Sequence, residues 1–219
     1  MCIRLPLLAA CLLLVGPGAW AAGGGSMSMR GDSPQDKAKS LYNQGVHEVG
    51  KADKLAASAA ELSDARKKDR ALHDAQKYYA SALGKFQQAT ENDSQLYEAW
   101  NYVGYTNRKL GNYDTALGAY ERALALHPGY PEALEYRGEA FLGLNRVPDA
   151  EQAYLDLFAS NRALADRLLT AMKSWVQSQR ATSAGDQAAA DLDKWIQERS
   201  TIAAQTAALT PAGTAASWH

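Results

Sequence analysis

Thiols are scarce in this chain of 219 residues: its two cysteines, Cys2 and Cys11, both fall within residues 1–22. Without that segment, disulfides, thiol catalysis and thiolate metal sites are excluded by count. Histidine is nearly as rare. His47, His73, His127 and His219 are far apart, and none stands in an H-x-x-x-H or H-E-x-x-H spacing, so the common zinc patterns are missing. A glycine-rich phosphate loop is missing too, since residues 138–143 read GEAFLG with no Lys-Ser/Thr to follow. Asp and Glu are scattered at helix-surface spacings and pair with no nucleophile. These gaps exclude the usual catalytic constellations, so the chain is expected to be no enzyme and to need no cofactor or metal. An excess of one charge is lacking as well. With Arg4 set aside, 23 Lys+Arg become 22 against 24 Asp+Glu, a balance of −2, which leaves no electrostatic footprint for nucleic acid. The densest basic stretch, Arg66-Lys67-Lys68-Asp69-Arg70, suits a solvated helix end.

What is present first is a leader. Arg4 precedes the apolar run LPLLAACLLLVGPGAW, and Ala19-Trp20-Ala21 closes it with small residues around one bulky one. A basic start, a short hydrophobic stretch and such a site describe a secretory signal over residues 1–22, with the exported chain starting at Ala22. Gly16-Pro17-Gly18 interrupts the run, which is too short for a membrane span. A rival pattern is Leu8-Ala9-Ala10-Cys11, a lipoprotein processing site that would anchor the chain by lipid at Cys11. Residues 23–35, GGGSMSMRGDSPQ, read as a flexible leader, and residues 209–219 as a disordered tail.

Between them hydrophobicity follows a helical period, and no sustained alternation of the strand kind occurs. The stretch from Trp100 to Pro128, WNYVGYTNRKLGNYDTALGAYERALALHP, repeats with a period of 34. On that shift Ala99 falls on Ala133, Gly104 on Gly138, Leu110 on Leu144, Ala116 on Ala150 and Tyr120 on Tyr154. Shifted backwards, Ala116, Tyr120 and Ala123 fall on Ala82, Phe86 and Ala89. A fixed period of this size marks stacked helical units. Trp100, Val103 and Gly104 share one helix face. Gly104 and Ala116 are small where two helices must approach, and Tyr120 fills the space between them. Gly111 suits a left-handed cap after the first helix, and Pro128 ends the second.

These residues resemble the tetratricopeptide repeat family. Trp100, Val103, Gly104, Ala116, Tyr120, Ala123 and Pro128 match its pattern, with Asn107 standing where the family has a first Tyr. Leu134, Gly138, Phe141, Ala150 and Tyr154 match it again, and Arg162 replaces the last proline. The resemblance implies an all-α, right-handed solenoid of helical hairpins with units at 97–130 and 131–160, together 95–161. An elongated first hairpin occupies 36–94: Leu41, Gln44 and Gly45 begin it and Ala82, Phe86 and Ala89 complete it. Its extra sequence, 51–74, is helix-compatible and makes it protrude by about 18 Å. Residues 162–208, with Leu164, Leu168, Met172, Trp175 and Val176 and then Leu192, Trp195 and Ile196, form a capping helix pair that covers the open end of the stack, parted near Ala184-Gly185.

In this family the first helix of each unit lines a concave groove that takes a peptide or partner helix. The resemblance then implies a groove of Glu98, Asn101, Tyr102, Tyr105 and Arg108, joined by Glu132, Glu135, Tyr136 and Glu139 and by Lys39, Tyr42, Asn43 and Val46. The partner is expected to be a protein or peptide, through Asn101, Tyr102, Tyr105, Arg108, Glu132, Glu135, Tyr136, Glu139 and Tyr42. The family's carboxylate clamp is absent: Tyr42, Val46, Tyr102, Glu132 and Tyr136 occupy its Lys, Asn and Arg places. Three glutamates on one helix argue against an acidic ligand. The expected role is a non-catalytic interaction scaffold of the bacterial periplasm. The alternatives are a lipid-anchored outer-membrane accessory protein in envelope or pilus assembly, and a small-ligand binder or enzyme built on the tyrosine–glutamate groove.

N-terminal sequencing of the chain recovered from an exporting cell should read from Ala22. A chain that begins at Cys11 and incorporates a labelled fatty acid would replace secretion by anchoring.

Overall fold

A computed structural model describes residues 33–182 and 187–209. The signal segment and residues 210–219 lie outside these, as do most of the leader and the expected break at Ala184-Gly185. Eight helices in four antiparallel pairs make up the described chain: α1 Pro34–Glu61, α2 Ala65–Asn92, α3 Tyr97–Lys109, α4 Tyr113–Leu126, α5 Pro131–Gly143, α6 Val147–Ser160, α7 Arg162–Thr182 and α8 Gln187–Leu209. Each packs on its neighbour in sequence, and the odd-numbered helices also meet one another, α3 with α5 and α5 with α7. The fold is an all-α solenoid.

The first hairpin is elongated as expected. Its helices are 28 residues each, against 13 or 14 in the next two pairs. That excess corresponds to about 21 Å, somewhat more than the repeat alignment implied. Helix α1 begins at Pro34, inside what the sequence suggested was leader. Ser33 accounts for it: its Oγ accepts from Asp36 N at 3.1 Å while the Asp36 carboxylate accepts from Ser33 N at 3.3 Å, a capping box with Pro at the first helical position. Ser33 holds the Asp36 carboxyl below its ordinary range. At the far end Asp64 accepts from the N–H groups of Arg66 and Lys67 and starts α2.

The α3–α4 and α5–α6 turns share one hydrogen-bond design. Asn112 N reaches Asn107 O at 2.9 Å, and Arg146 N reaches Phe141 O at 2.8 Å. Between each pair sits a left-handed residue, Gly111 at φ 84° and Asn145 at φ 58°, so both ends are Schellman caps. Asn107 is only 3% exposed. Its Nδ2 donates to Val103 O at 2.9 Å and its Oδ1 accepts from Asn112 Nδ2 at 3.3 Å. That network stands in for the aromatic ring the repeat pattern has at this place, and Phe141 supplies the ring in the next unit.

Close helix approach sets the spacing. A β-carbon on Gly104 would lie 2.5 Å from Tyr120 Cε1, and one on Gly45 would lie 2.6 Å from Phe86 Cε1. Both rings are fully buried. The third unit differs. Gly138 faces Leu168 of α7 and the Ala153 methyl, while Tyr154 turns to Trp195 at 5.2 Å between centroids. Leu164, Leu168, Met172, Val176, Leu192 and Ile196 join α4–α6 in one apolar core, so α7 and α8 cover the end of the stack. Trp100 is likewise part of the packing and anchors the α2–α3 turn, its Nε1 donating to Ser94 O at 3.0 Å.

Gly104→Ala should lower stability by about 1–3 kcal/mol in denaturant unfolding, even though alanine favours helix, because its methyl meets the Tyr120 ring. The exposed helical Gly118 has no atom within 4 Å of a β-carbon position, so Gly118→Ala should raise stability by about 0.5–1 kcal/mol. A Gly104→Ala chain as stable as its parent would mean that the helices are not spaced by this contact.

Candidate functional site

The inner helices carry a connected row of rings. Tyr42 on α1 meets Tyr102 on α3 edge-on at 5.6 Å, and Tyr102 stacks on Phe86 of α2 at 4.8 Å. Tyr102 leads to Tyr105 at 6.0 Å, and Tyr105 to Tyr136 on α5 at 5.0 Å. The row exists because Tyr102 and Tyr105 are three residues apart on one face and because α3 packs on α5, while Tyr42 reaches Tyr102 across the face of the first hairpin. Offset and edge-to-face rings at these distances attract beyond the area they bury.

Burial divides the expected contact residues. Tyr42, Tyr102, Glu132, Tyr136 and Glu139 are partly open. Asn101 and Glu135 are 2% exposed and Tyr105 is 8% exposed, so these three are supports of the groove and only marginally its surface. Tyr105 explains why. Its hydroxyl donates to Asp53 Oδ1 at 2.7 Å, and Tyr79 of α2 donates to the same oxygen at 2.5 Å. One carboxylate from the extra turns of α1 thus ties the elongated hairpin to the next unit. Burial and the Asp53 bond push both phenols well above their ordinary range, so they act as neutral donors.

Charge is arranged on the other flank. Arg108 at the end of α3 pairs with Glu139 of α5 and lies over the rings of Tyr105 and Tyr136, 5.2 and 5.3 Å from their centroids. Glu135 lies against Arg167 of α7, with Oε2 3.0 Å from Nη2 in a charge contact without a hydrogen bond. Burial lifts the Glu135 carboxyl to about 7 despite Arg167. At the opposite rim Tyr97 stacks on His127 at 4.6 Å and meets Tyr130 at 5.0 Å. His127 is the C-cap residue of α4. Lys39 and Asn43 are exposed on α1 and stand apart from these contacts.

Several contributors are not legible as site residues. Asp53 had one signal: it interrupts the apolar stripe of Val49, Ala52, Ala56 and Ala59. Tyr79 follows Ala75 and precedes Ala82 and Phe86 on a core face. Arg167 and Lys109 carry no local mark, because their partners come from other helices.

Among the described residues no group of three or more His, Cys, Asp or Glu could hold a metal ion, and no helix is long and apolar enough to cross a membrane. Residues 104–165 match the family model described as Tetratricopeptide repeat. Over that stretch the chain is similar to tetratricopeptide repeats. No curated protein matches it. The match begins at Gly104 and runs through α4, α5 and α6 into α7, which leaves the elongated hairpin outside it. Tetratricopeptide repeats are in general non-catalytic modules for protein–protein contact, and the stacked hairpins give such a module its groove.

Replacing Asp53 with alanine leaves two buried phenols without an acceptor and should cost about 2 kcal/mol of stability. Tyr105→Phe should cost roughly half as much, since Tyr79 keeps its bond. Equal losses for the two variants in urea unfolding would show that Asp53 does not bridge both rings.

Proposed function

We propose that this chain is an exported, non-catalytic scaffold of the periplasm that holds a peptide or a partner helix in its concave groove. The observation that carries this reading is the ring row Tyr42–Tyr102–Tyr105–Tyr136, which runs without a break across three hairpins. Tyrosine offers a large, stiff contact area with a polar tip, and such side chains dominate protein interfaces. The row is backed by full packing on one side, so a partner meets preformed rings and few side chains have to be ordered on binding. Arg108 with Glu139 at one flank and Glu98 with Glu132 at the other give the groove a polar rim around an aromatic centre. Export is supported by the leader pattern of Arg4, the apolar run and Ala19-Trp20-Ala21, and by a remaining chain without thiols, which suits an oxidising compartment.

Affinity capture with the tagged chain, followed by mass spectrometry, should recover a specific protein. Tyr102→Ala with Tyr136→Ala should weaken that partner by about tenfold or more, while Tyr105→Phe, which keeps its ring, should leave it. Undiminished capture by the double variant, with loss on Leu72→Ser and Tyr78→Ser, would move the contact to the exposed face of the elongated hairpin.

A further inference from the structure

The opposite rim of the groove, at the N-terminal ends of α3 and α5, is built of rings and carboxylates. Tyr97 and Tyr130 meet edge-on, 5.0 Å apart at 81°, and His127 stacks on Tyr97 at 4.6 Å. Glu98 and Glu132 stand in the first turns of the two helices and, one repeat of 34 apart, hold the same place in their units. Tyr97, Glu98, Tyr130 and Glu132 are all partly open. Burial pushes the Tyr42 phenol up to about 12, and Tyr102, Glu98 and Tyr97 add to the rise. The Tyr130 phenol is raised in the same way, by burial and then by Glu132, Tyr42, Tyr97 and Glu98. These side chains therefore share one neighbourhood, although three hairpins supply them.

Counterions are spread unevenly along the same helices. Further along α5, Glu139 has Arg108 and Glu135 has Arg167. Among the described residues Glu98 and Glu132 have no ion-pair partner. Lys39, one turn before Tyr42 on α1, is exposed and pairs with neither. The positive ends of α3 and α5 offset part of the two charges, about half a unit each, and leave the rim negative. An aromatic face attracts a cation and a carboxylate pairs with one. A guanidinium does both at once, because it is flat and carries a fork of donors.

We propose that this rim seats an arginine side chain of the protein partner, with its guanidinium against the Tyr97 and Tyr130 rings and its N–H groups on Glu98 and Glu132. The inference rests on the groove reading above and adds one chemical demand: a basic residue where the partner passes the end of the tyrosine row. Tyr42 joins row and rim, since it touches Tyr102 at 5.6 Å and neighbours Tyr97 and Glu98. The other flank, where Arg108, Lys109 and Arg167 gather, repels a cation, so the two flanks together fix the direction in which the partner lies.

The probe is N-acetyl-arginine N-methylamide, titrated into the isotopically labelled full chain and followed by NMR at backbone amides and tyrosine ring signals. Saturating shifts should centre on Tyr97, Glu98, Tyr130 and Glu132, and affinity should fall several-fold as salt rises from about 0.02 M to about 0.3 M. The uncharged citrulline analogue, of the same shape, should give no such shifts. Glu98→Gln with Glu132→Gln should weaken the probe by about fivefold, and Tyr97→Leu by about threefold, each with an unchanged circular-dichroism spectrum. Glu61→Gln, at the exposed end of α1, should bind as the parent does. An equal response to citrulline, shifts that never saturate, or parental affinity in the double glutamine variant would overturn the proposal. If Tyr102→Ala with Tyr136→Ala loses the captured partner but the arginine probe is silent, the rim proposal fails and the groove reading stands. If capture survives that variant, the groove reading fails, and saturable arginine binding at the rim still supports the seat.

Discussion

Gly45 faces Phe86 and Gly104 faces Tyr120, and in each pair the ring occupies the volume a β-carbon would need. A glycine inside a helix costs about 1 kcal/mol relative to alanine. Burying a large ring returns roughly 1.5–3 kcal/mol, and the closer approach of the two helices adds dispersion contacts along their length. The exchange favours the hairpin only if both partners are present, so the glycine and the ring must recur together. That requirement sets the distance between helices within a unit, and with it the distance between units. The groove inherits its dimensions from this spacing: Tyr105 and Tyr136 meet because α3 packs on α5, and Tyr42 of α1 reaches Tyr102 across the face of the first hairpin.

The same rings have two duties. Facing inward, Tyr105 and Tyr79 share Asp53 and join the long first hairpin to the repeat that follows. Facing the groove, Tyr102 and Tyr136 are open enough to be touched. A carboxylate that accepts from two phenols from different helices also fixes the register of α1 against α3, since slipping α1 by one residue would swing Asp53 by about 100° around its axis. The elongated hairpin is therefore docked along part of its length, and beyond Asp53 the burial on α1 thins to Ala59, with Leu55 and Ala56 partly covered.

Charge follows from packing and not from composition. A net balance near zero hides a flank where Arg108, Lys109 and Arg167 gather, and a rim where Glu98 and Glu132 accompany Tyr97 and Tyr130. Residues that look like an acidic stripe along α5 are divided between two arginines from other helices. Only Glu132 of the three is without an ion pair among the described residues. The desolvated Glu135 is stabilised by Arg167 less than burial disfavours it, which is why its carboxyl titrates near neutrality.

The period of 34, the glycines at matching places and the aromatic residues opposite them were legible in the chain because they are local and repeated: each unit states its own spacing, and neighbouring units state it again. Helix ends were legible for the same reason at Gly111 and Pro128, and missed at Ser33, where a polar leader hid a capping box, and at Asn145, which takes a backbone geometry glycine usually supplies. Gly138 marks the limit of that logic. The repeat predicts a ring opposite it, yet Leu168 from the capping helix fills the place, because the last unit has a different neighbour. Site residues were half legible. The inner face of α3 and α5 followed from the repeat, but which of its side chains would be open and which buried did not. Asp53, Lys109 and Arg167 belong to the site through contacts between helices distant in sequence. Sequence by itself determined the hairpins, since a helix pair is specified within some 34 residues. The tertiary structure alone decided the sign and the reach of the groove, since charges cancel or accumulate only once separate hairpins are stacked.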